Sequence, residues 1–140
     1  MDVSPIVAET EATQDFLKTV YTLQQQQEWV STNALAEQLS IAPSSITAMA
    51  QRMAGSGWIE YRRYHGLRLT PAGESVALRI VRRHRLLEMY LVRELGFSPD
   101  DVHDEADRIE HAASEKLIAQ IEEVLGYPKV CPHGQPIPSC

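Results

Sequence analysis

Apolar residues recur at helical spacing along most of this chain and alternate as in a strand only once, near its middle. Phe16, Val20 and Leu23, widened by Leu17 and Tyr21, form one stripe and predict a first helix over residues 11–27, with Asp15 at the stripe's edge. The polar stretch 1–11 ahead of it is expected to fray. Ser31-Thr32-Asn33 is a capping cluster for a short helix over 34–39. After a tight turn at Ser40-Ile41-Ala42, Pro43 suits the first position of a third helix, where its missing N–H costs nothing. That helix turns Ile46, Met49, Ala50 and Met53 inward, and Gly55 and Gly57 end it. Residues 58–63 read as a strand, Tyr64-His65-Gly66 as a turn and 67–69 as the return strand.

Helical periodicity then resumes. Thr70-Pro71 opens a long helix over 72–95, with Val76, Ile80, Leu87 and Leu91 as its stripe and Leu86, Met89 and Tyr90 alongside. Arg79, Arg82, Arg83, Arg85 and Arg93 make its flanks basic, and Gly96 stops it. A fifth helix is expected over 99–113, and a sixth, capped by Ser114, over 115–125 with Leu117, Ile118, Ile121 and Leu125 apolar. Residues 126–140, with four prolines and two glycines, are expected to be extended. Helices five and six carry more apolar surface than two short helices hide within one chain, which predicts a symmetric dimer.

The resulting architecture is mainly α. An N-terminal winged helix-turn-helix (residues 1–72) precedes a helical metal-binding and dimerisation domain (73–140) with an extended C-terminal tail. The outer face of the third helix shows Ser44, Ser45, Thr47, Ala48, Gln51 and Arg52, small or polar groups that fit against base edges and phosphates. Arg62 and Arg63 sit at the hairpin tip. The competing reading of this half is a small α+β packing unit without nucleic-acid contact; the arginine-bearing hairpin after a small-polar helix favours DNA.

Composition changes the picture in two places. The net charge of −6 argues against a nucleic-acid partner until its distribution is seen. Residues 41–70 carry a local +3, whereas residues 96–140 carry −6. One end suits a polyanion and the other collects cations. The two cysteines, Cys131 and Cys140, form no disulfide framework and fit a reducing cytoplasm. The chain shows no 18-residue apolar run and no basic-then-apolar leader, so neither membrane span nor signal peptide is expected.

The candidate chemistry lies in His103-Asp104-Glu105-Ala106-Asp107-Arg108-Ile109-Glu110-His111. On a continuous helix, positions 103, 107, 110 and 111 fall within an arc of about 100°. A face of two imidazoles and two carboxylates is costly to bury unless a cation satisfies it. His84 and Glu88, at i and i+4 on the long helix, share a second such face. Against this stands a solvated acidic face with scattered histidines. Cys131-Pro132-His133 adds a thiol and an imidazole two residues apart, a weak motif alone.

Together, Thr70-Pro71-x-Gly73, Arg83-His84-Arg85-Leu86-x-Glu88, Val102-His103-Asp104-Glu105-Ala106, Glu110-His111 and Cys131-Pro132-His133-Gly134 resemble the diphtheria-toxin-repressor family of iron- and manganese-dependent transcriptional repressors, over essentially the whole chain. The resemblance implies a homodimer on double-stranded operator DNA and two divalent metal sites per subunit. The main site would use Asp15, Asp107, Glu110 and His111, with His84 close by; the second would use Glu88, Cys131 and His133. His103 matches a ligand of the iron-dependent members. DNA contacts would come from Ser44, Ser45, Thr47, Gln51 and Arg52, with Thr32, Asn33, Arg62 and Arg63 on phosphate.

The departures bear on the metal. Asp15 replaces a Met and Asp107 a Cys of the iron repressors, exchanging soft sulfur for hard oxygen and favouring Mn²⁺, with Fe²⁺ as the alternative. Lys18 stands where small manganese-specific members have Glu. Longer members continue into a third, SH3-like domain, which this chain, stopping at Cys140, is expected to lack. The implied mechanism is that a cation bridges the N-terminal helix to the dimer domain and sets the spacing of the recognition helices, a corepressor rather than a catalyst. Two rivals are weaker. A winged-helix regulator of an organic ligand needs an apolar pocket in place of the polar 103–111 face, so no small organic substrate is expected. A metallohydrolase needs an acid or base beside an open metal position, and no surplus group has that setting.

Overall fold

The protein is described here by a computed structural model covering residues 10–139. Of the N-terminal stretch expected to fray, residues 1–9 lie outside the described residues, as does Cys140. Thr10 and Glu11 depart from that expectation, because Thr10 is the N-cap of the first helix and its hydroxyl accepts from Thr13 N at 3.3 Å. The elements in order are α1 (Glu11–Gln24), α2 (Thr32–Leu39), α3 (Pro43–Gly55), β1 (Ile59–Arg62), β2 (Gly66–Leu69), α4 (Pro71–Leu95), α5 (Val102–Ile109) and α6 (Glu115–Val124). The chain divides into two compact units, up to Ala77 and from Leu78 onward. The division falls inside α4, since Ala77 is buried in the first unit's core and Val76 packs against it.

In the first unit, α1 buries Phe16, Leu17 and Val20 completely, as the stripe requires. It ends at Gln24, three residues before the predicted end, where a run of glutamines offers nothing to bury. Gln24 instead accepts from Leu69 N through its side-chain oxygen at 2.8 Å, which anchors β2. Ser31 caps α2 through Ala34 N at 3.0 Å, and Pro43 occupies the first turn of α3. Ile46, Ala50 and Met53 of α3 are buried and Met49 half-buried, matching the predicted inward positions. The two strands pair antiparallel, Ile59 opposite Leu69 and Arg62 opposite Gly66. Val30 adds a third edge through reciprocal bonds with Leu67 at 2.8 and 2.9 Å. Gly66, at φ +105°, permits this: a Cβ there would lie 2.2 Å from the Val30 carbonyl oxygen. The product is a helix-turn-helix with a two-stranded wing.

The second unit contains the rest of α4 with α5, α6 and the C-terminal segment. Its apolar core is Leu86, Leu87, Ala106, Ala113, Ile118, Ile121 and Leu125. One expectation is corrected here, and one is filled in. The arginines that make the flanks of α4 basic are engaged within the unit. Arg82, buried, donates to Glu122 at 2.6 Å; Arg83 pairs with Glu115 and donates to the Glu110 carbonyl; Arg93 donates to the Leu125 carbonyl at 3.1 Å. These bonds satisfy carbonyls at element ends and clamp α6 to α4. The fifth helix is also shorter than 99–113. Ser98 and Asp101 close a turn (Asp101 N to Ser98 O, 2.9 Å), and the helix ends at Ile109 because Ser114 must leave helical geometry to cap α6. Glu110 and His111 therefore sit in the turn after α5 and not on its continuing face. The C-terminal segment is non-helical, as expected, but folds back on itself, with Cys131 N donating to Gln135 O at 2.8 Å and Ile137 N to Lys129 O at 2.9 Å. Among the described residues, no helix is long and apolar enough to cross a membrane.

Candidate metal centre and nucleic-acid face

The second unit buries an unusual set of side chains. His84 and Glu88, one turn apart on α4, are almost wholly buried, and Glu110 is completely so. His84 is the hub. Its Nδ1 lies 2.7 Å from Glu110 Oε2 and 3.2 Å from Asp107 Oδ1; its Nε2 lies 3.1 Å from His103 Nδ1 and 3.3 Å from Glu88 Oε2. Burial alone would lower the imidazole's pKa, but the carboxylates of Asp107, Glu110 and Glu88 around it outweigh burial and raise it to about 10. Without metal, then, a proton is held where three carboxylates demand positive charge. His111 completes the Glu110 side, its Nε2 3.4 Å from Glu110 Oε1.

Glu88 faces a second group. Its Oε2 is buried and has no hydrogen-bond partner among the described residues, although three imidazole nitrogens surround it: His84 Nε2 at 3.3 Å, His133 Nδ1 at 3.4 Å and His103 Nδ1 at 3.7 Å. These are ion-pair separations without hydrogen-bond alignment. Burial pushes the Glu88 carboxyl up, but His84, with further help from His133 and His103, holds it below its usual value. His133 Nε2 donates to the Pro99 carbonyl at 2.7 Å, which leaves Nδ1 as the nitrogen facing Glu88. A metal-ligating histidine is commonly fixed in this way by a backbone carbonyl behind it. Cys131, a buried free thiol, joins the same group. An orphaned buried oxygen ringed by lone-pair donors is the arrangement that a divalent cation satisfies, so these residues fit one.

Three sets of donors within the unit thus have ligand atoms within 4.8 Å of one another: His84, Asp107 and Glu110; His84, Glu88 and His103; and Glu88, Cys131 and His133. His103 is the most exposed of them, its side chain 62% accessible. The central place of His84 was only partly visible in sequence. The His84-x3-Glu88 spacing marked it, but its contact with Glu110, across 26 positions, left no local sign. Asp15 belongs to the first unit, half-buried on α1.

On the first unit, Ser44, Ser45, Gln51 and Arg52 are exposed on α3, Thr47 is half-buried, and Thr32 and Asn33 lie in the first turn of α2. Thr47 donates its hydroxyl back to Pro43 O at 3.2 Å. The wing holds more internal pairing than the sequence indicated. Glu60 binds both Arg62 and Arg68 at 3.0 Å, Glu28 binds Arg68, and both guanidinium groups lie over the Trp29 ring, at 5.1 and 4.4 Å. Arg63 lies over the exposed ring of Tyr64. Trp29 carried no periodic signal, so its role under the wing was missed.

Comparison with known proteins agrees with both halves. The family described as the iron dependent repressor N-terminal DNA binding domain matches residues 9–67, and the iron dependent repressor metal binding and dimerisation domain matches 70–139. The HTH-type transcriptional regulator MntR of Lysinibacillus sphaericus (strain C3-41) is 34% identical over 116 residues, covering 83% of each chain. That of Bacillus subtilis (strain 168) is 31% identical over 118 residues, covering 84% of this chain and 82% of its own. Among solved structures, a manganese-dependent transcriptional repressor in complex with manganese is similar with a TM-score of 0.86 and 43% identity, over 91% of this chain. The manganese regulator SloR gives 0.80 and 31%, over 95%. The chain spans only 59% and 61% of those two solved chains. With a DNA-binding unit and a metal-binding and dimerisation unit matched in order, this chain belongs to the iron-dependent repressor family, as a metal-dependent transcriptional repressor of its manganese-regulator branch.

Proposed function

We propose that this protein represses transcription from a double-stranded operator as a homodimer when it is loaded with Mn²⁺, and so regulates metal homeostasis in the cytoplasm. The observation that carries the metal reading is Glu88 Oε2, buried and without a hydrogen bond among three imidazole nitrogens. Asp107, Glu110 and His111, with His84, would hold the main cation, and Asp15 is assigned to the same ligand set from the family resemblance. Glu88, Cys131 and His133 would hold a second. The main set is entirely oxygen and imidazole, which suits Mn²⁺; Cys131 makes the second set softer and more receptive to zinc or iron. Bound there, the cation supplies positive charge and fixed ligand geometry, with no turnover.

On the DNA side, Ser44, Ser45, Thr47, Gln51 and Arg52 of α3 would meet base edges and phosphates, while Thr32, Asn33, Arg62 and Arg63 meet phosphate. Leu117 and Val124, seven residues apart on α6 and both exposed, favour this helix as part of the dimer face. The relatives' printed names support repression and manganese.

The test is an operator gel-shift with the metal-free protein and with Mn²⁺, Fe²⁺, Co²⁺ and Zn²⁺ in turn. Mn²⁺ should restore binding that chelation removes. Binding indifferent to chelation would refute the reading, as would a repressor answering only to iron for the choice of metal. Asp15→Ala should leave a folded dimer whose operator binding at saturating Mn²⁺ is weakened more than about 100-fold, a ligand being worth at least as much as an outer-shell partner. Unchanged affinity would remove Asp15 from the ligand set.

A further inference from the structure

The turn between α5 and α6, residues 110–114, carries two side chains of the metal centre, Glu110 and His111. A turn is a loose mount for ligands unless something outside it fixes its ends. Ala113, buried in the unit's apolar core, anchors the far end. Within the turn, Ala112 N and Ala113 N both donate to Ile109 O, at 3.0 and 3.1 Å. The near end is held from outside, by Arg83 of α4.

Arg83 Nη1 donates to the Glu110 carbonyl at 3.2 Å, and its Nη2 pairs with the Glu115 carboxylate. One guanidinium thus spans the turn, from the residue that ends α5 to the residue that begins α6. The helix ends supply the reason. Carbonyls at the end of α5 lack intrahelical donors and carry the negative end of its dipole, which draws a cation. Glu115 lies in the first turn of α6, where a carboxylate is favoured, and the Arg83 guanidinium holds its carboxyl below the usual value. Arg83 directly precedes His84, so Glu110 is gripped twice by neighbours on one helix, its carboxylate by His84 and its carbonyl by Arg83. The Arg83 Nε is buried with no hydrogen-bond partner among the described residues, a cost that the two Nη bonds offset.

Arg82 is the natural contrast. Its side chain is 9% accessible against 12% for Arg83, and it too reaches α6, pairing with Glu122 at 2.6 Å. That bond fastens α6 near its far end, without holding the turn.

We propose that Arg83 is a positioning residue of the metal centre: its guanidinium fixes the 110–114 turn from both sides, and so sets Glu110 and His111 in ligating position before a cation arrives. The proposal rests on the reading of Asp107, Glu110 and His111 as ligands. It requires a rigid fork with two acceptors; a lysine, as a point donor, reaches one.

The test compares Arg83→Met, Arg83→Lys and Arg82→Met with the wild type, all as the full chain. Amide hydrogen exchange of the metal-free proteins reads the turn, and electron paramagnetic resonance of free Mn²⁺ reads binding. In Arg83→Met, the amides of Ala112 and Ala113 should exchange about tenfold faster or more, while those in the second half of α6 keep their wild-type rates. The Kd of the Mn²⁺ held by Asp107, Glu110 and His111 should rise about 10- to 100-fold, as for loss of an outer-shell partner, with the number of cations bound unchanged. Arg83→Lys keeps the charge beside Glu115 and should fall between; it also carries the test if Arg83→Met does not fold. Arg82→Met should leave the turn's exchange and the Kd within about twofold, since its bond lies elsewhere. Unchanged exchange at Ala112 and Ala113 in both Arg83 variants would overturn the proposal, as would faster exchange with an unchanged Kd. So would an Arg82→Met variant that reproduces both changes, because Arg83 would then act only as a clamp on the whole unit. A wild type that binds no Mn²⁺ removes the ligand reading instead, and the exchange rates then decide alone whether Arg83 holds the turn.

Discussion

The two units of this chain have opposite interiors. The first is filled by Phe16, Leu17, Val20, Leu35, Ile46, Met53 and Leu67, packed without a buried charge among these residues. The second has an apolar core too, but it also buries His84, Glu88, Glu110 and Arg82. An apolar interior is stable whatever ions the solvent holds, because its driving force is the removal of carbon from water. An interior of carboxylates and imidazoles is stable only while its charges are matched, by protons or by a cation. A sensor gains from the division: the unit that faces DNA keeps its shape, and the unit that answers to metal carries the unsettled charge.

The comparison breaks most severely at Phe16. Phe16→Ala should cost about 3–5 kcal/mol of stability in the first unit. Saturating Mn²⁺ should not restore operator binding to it. Thermal unfolding with and without metal checks this, and rescue by metal would show that the first unit's stability also depends on the cation.

A smaller effect separates the units by pH. His84 is raised from 6.5 in the unfolded chain to about 10 when folded, so its protonated form favours the folded state below about 6.5, and this contribution is lost as pH rises towards about 10. Glu88 is lowered, so its contribution is present above its ordinary value and lost as pH falls. The metal-free second unit should therefore lose stability from pH 6.5 upward. Mn²⁺ takes the place of the proton, so the stabilisation it gives should grow over the same range. A metal-induced rise in melting temperature that is flat between pH 6.5 and 8.5 would contradict the charge balance drawn around His84.

The smallest effect belongs to the wing. Arg63→Ala should weaken all DNA about equally and lower the salt slope by about 1, as the loss of one phosphate contact does. Arg62→Ala should do less, since Glu60 already holds that guanidinium at 3.0 Å. Salt-dependent titrations on operator and random DNA decide it; an altered sequence preference for either variant would place the wing on base edges.

The first unit was the more legible in sequence because its signals are local. Pro43 and the i, i+3, i+4, i+7 spacing of Ile46, Met49, Ala50 and Met53 set α3, and Ser31 marked the start of α2 within one turn. The second unit was legible in its ligand types and less so in its geometry. Nothing between Ile109 and Ala113 breaks a helix by composition, and α5 ends there because the cap of α6 requires extended backbone at Ser114, φ −74° and ψ 158°. The pairing of Arg82 with Glu122, 40 residues away, and of Arg83 with Glu115 has no periodic signature, so arginines that form clamps read only as a basic flank. The pairing of Glu60 with Arg62 and Arg68, and the place of Trp29 beneath them, escaped notice for the same reason.

The bond from His133 to the Pro99 carbonyl has a practical reach beyond ligand geometry. It ties the folded-back C-terminal segment to the loop between α4 and α5, beside the burial of Cys131, the packing of Ile137 against the unit's core, the approach of His133 to Glu88 and the bond of Arg85 to the Pro136 carbonyl. A cation on Cys131 and His133 would add two more fastenings to a segment that is otherwise open to cleavage at its exposed positions 133–136. Resistance of that segment to a protease would then serve as a gauge of occupancy at the thiolate position alone, read on a gel and without any DNA present.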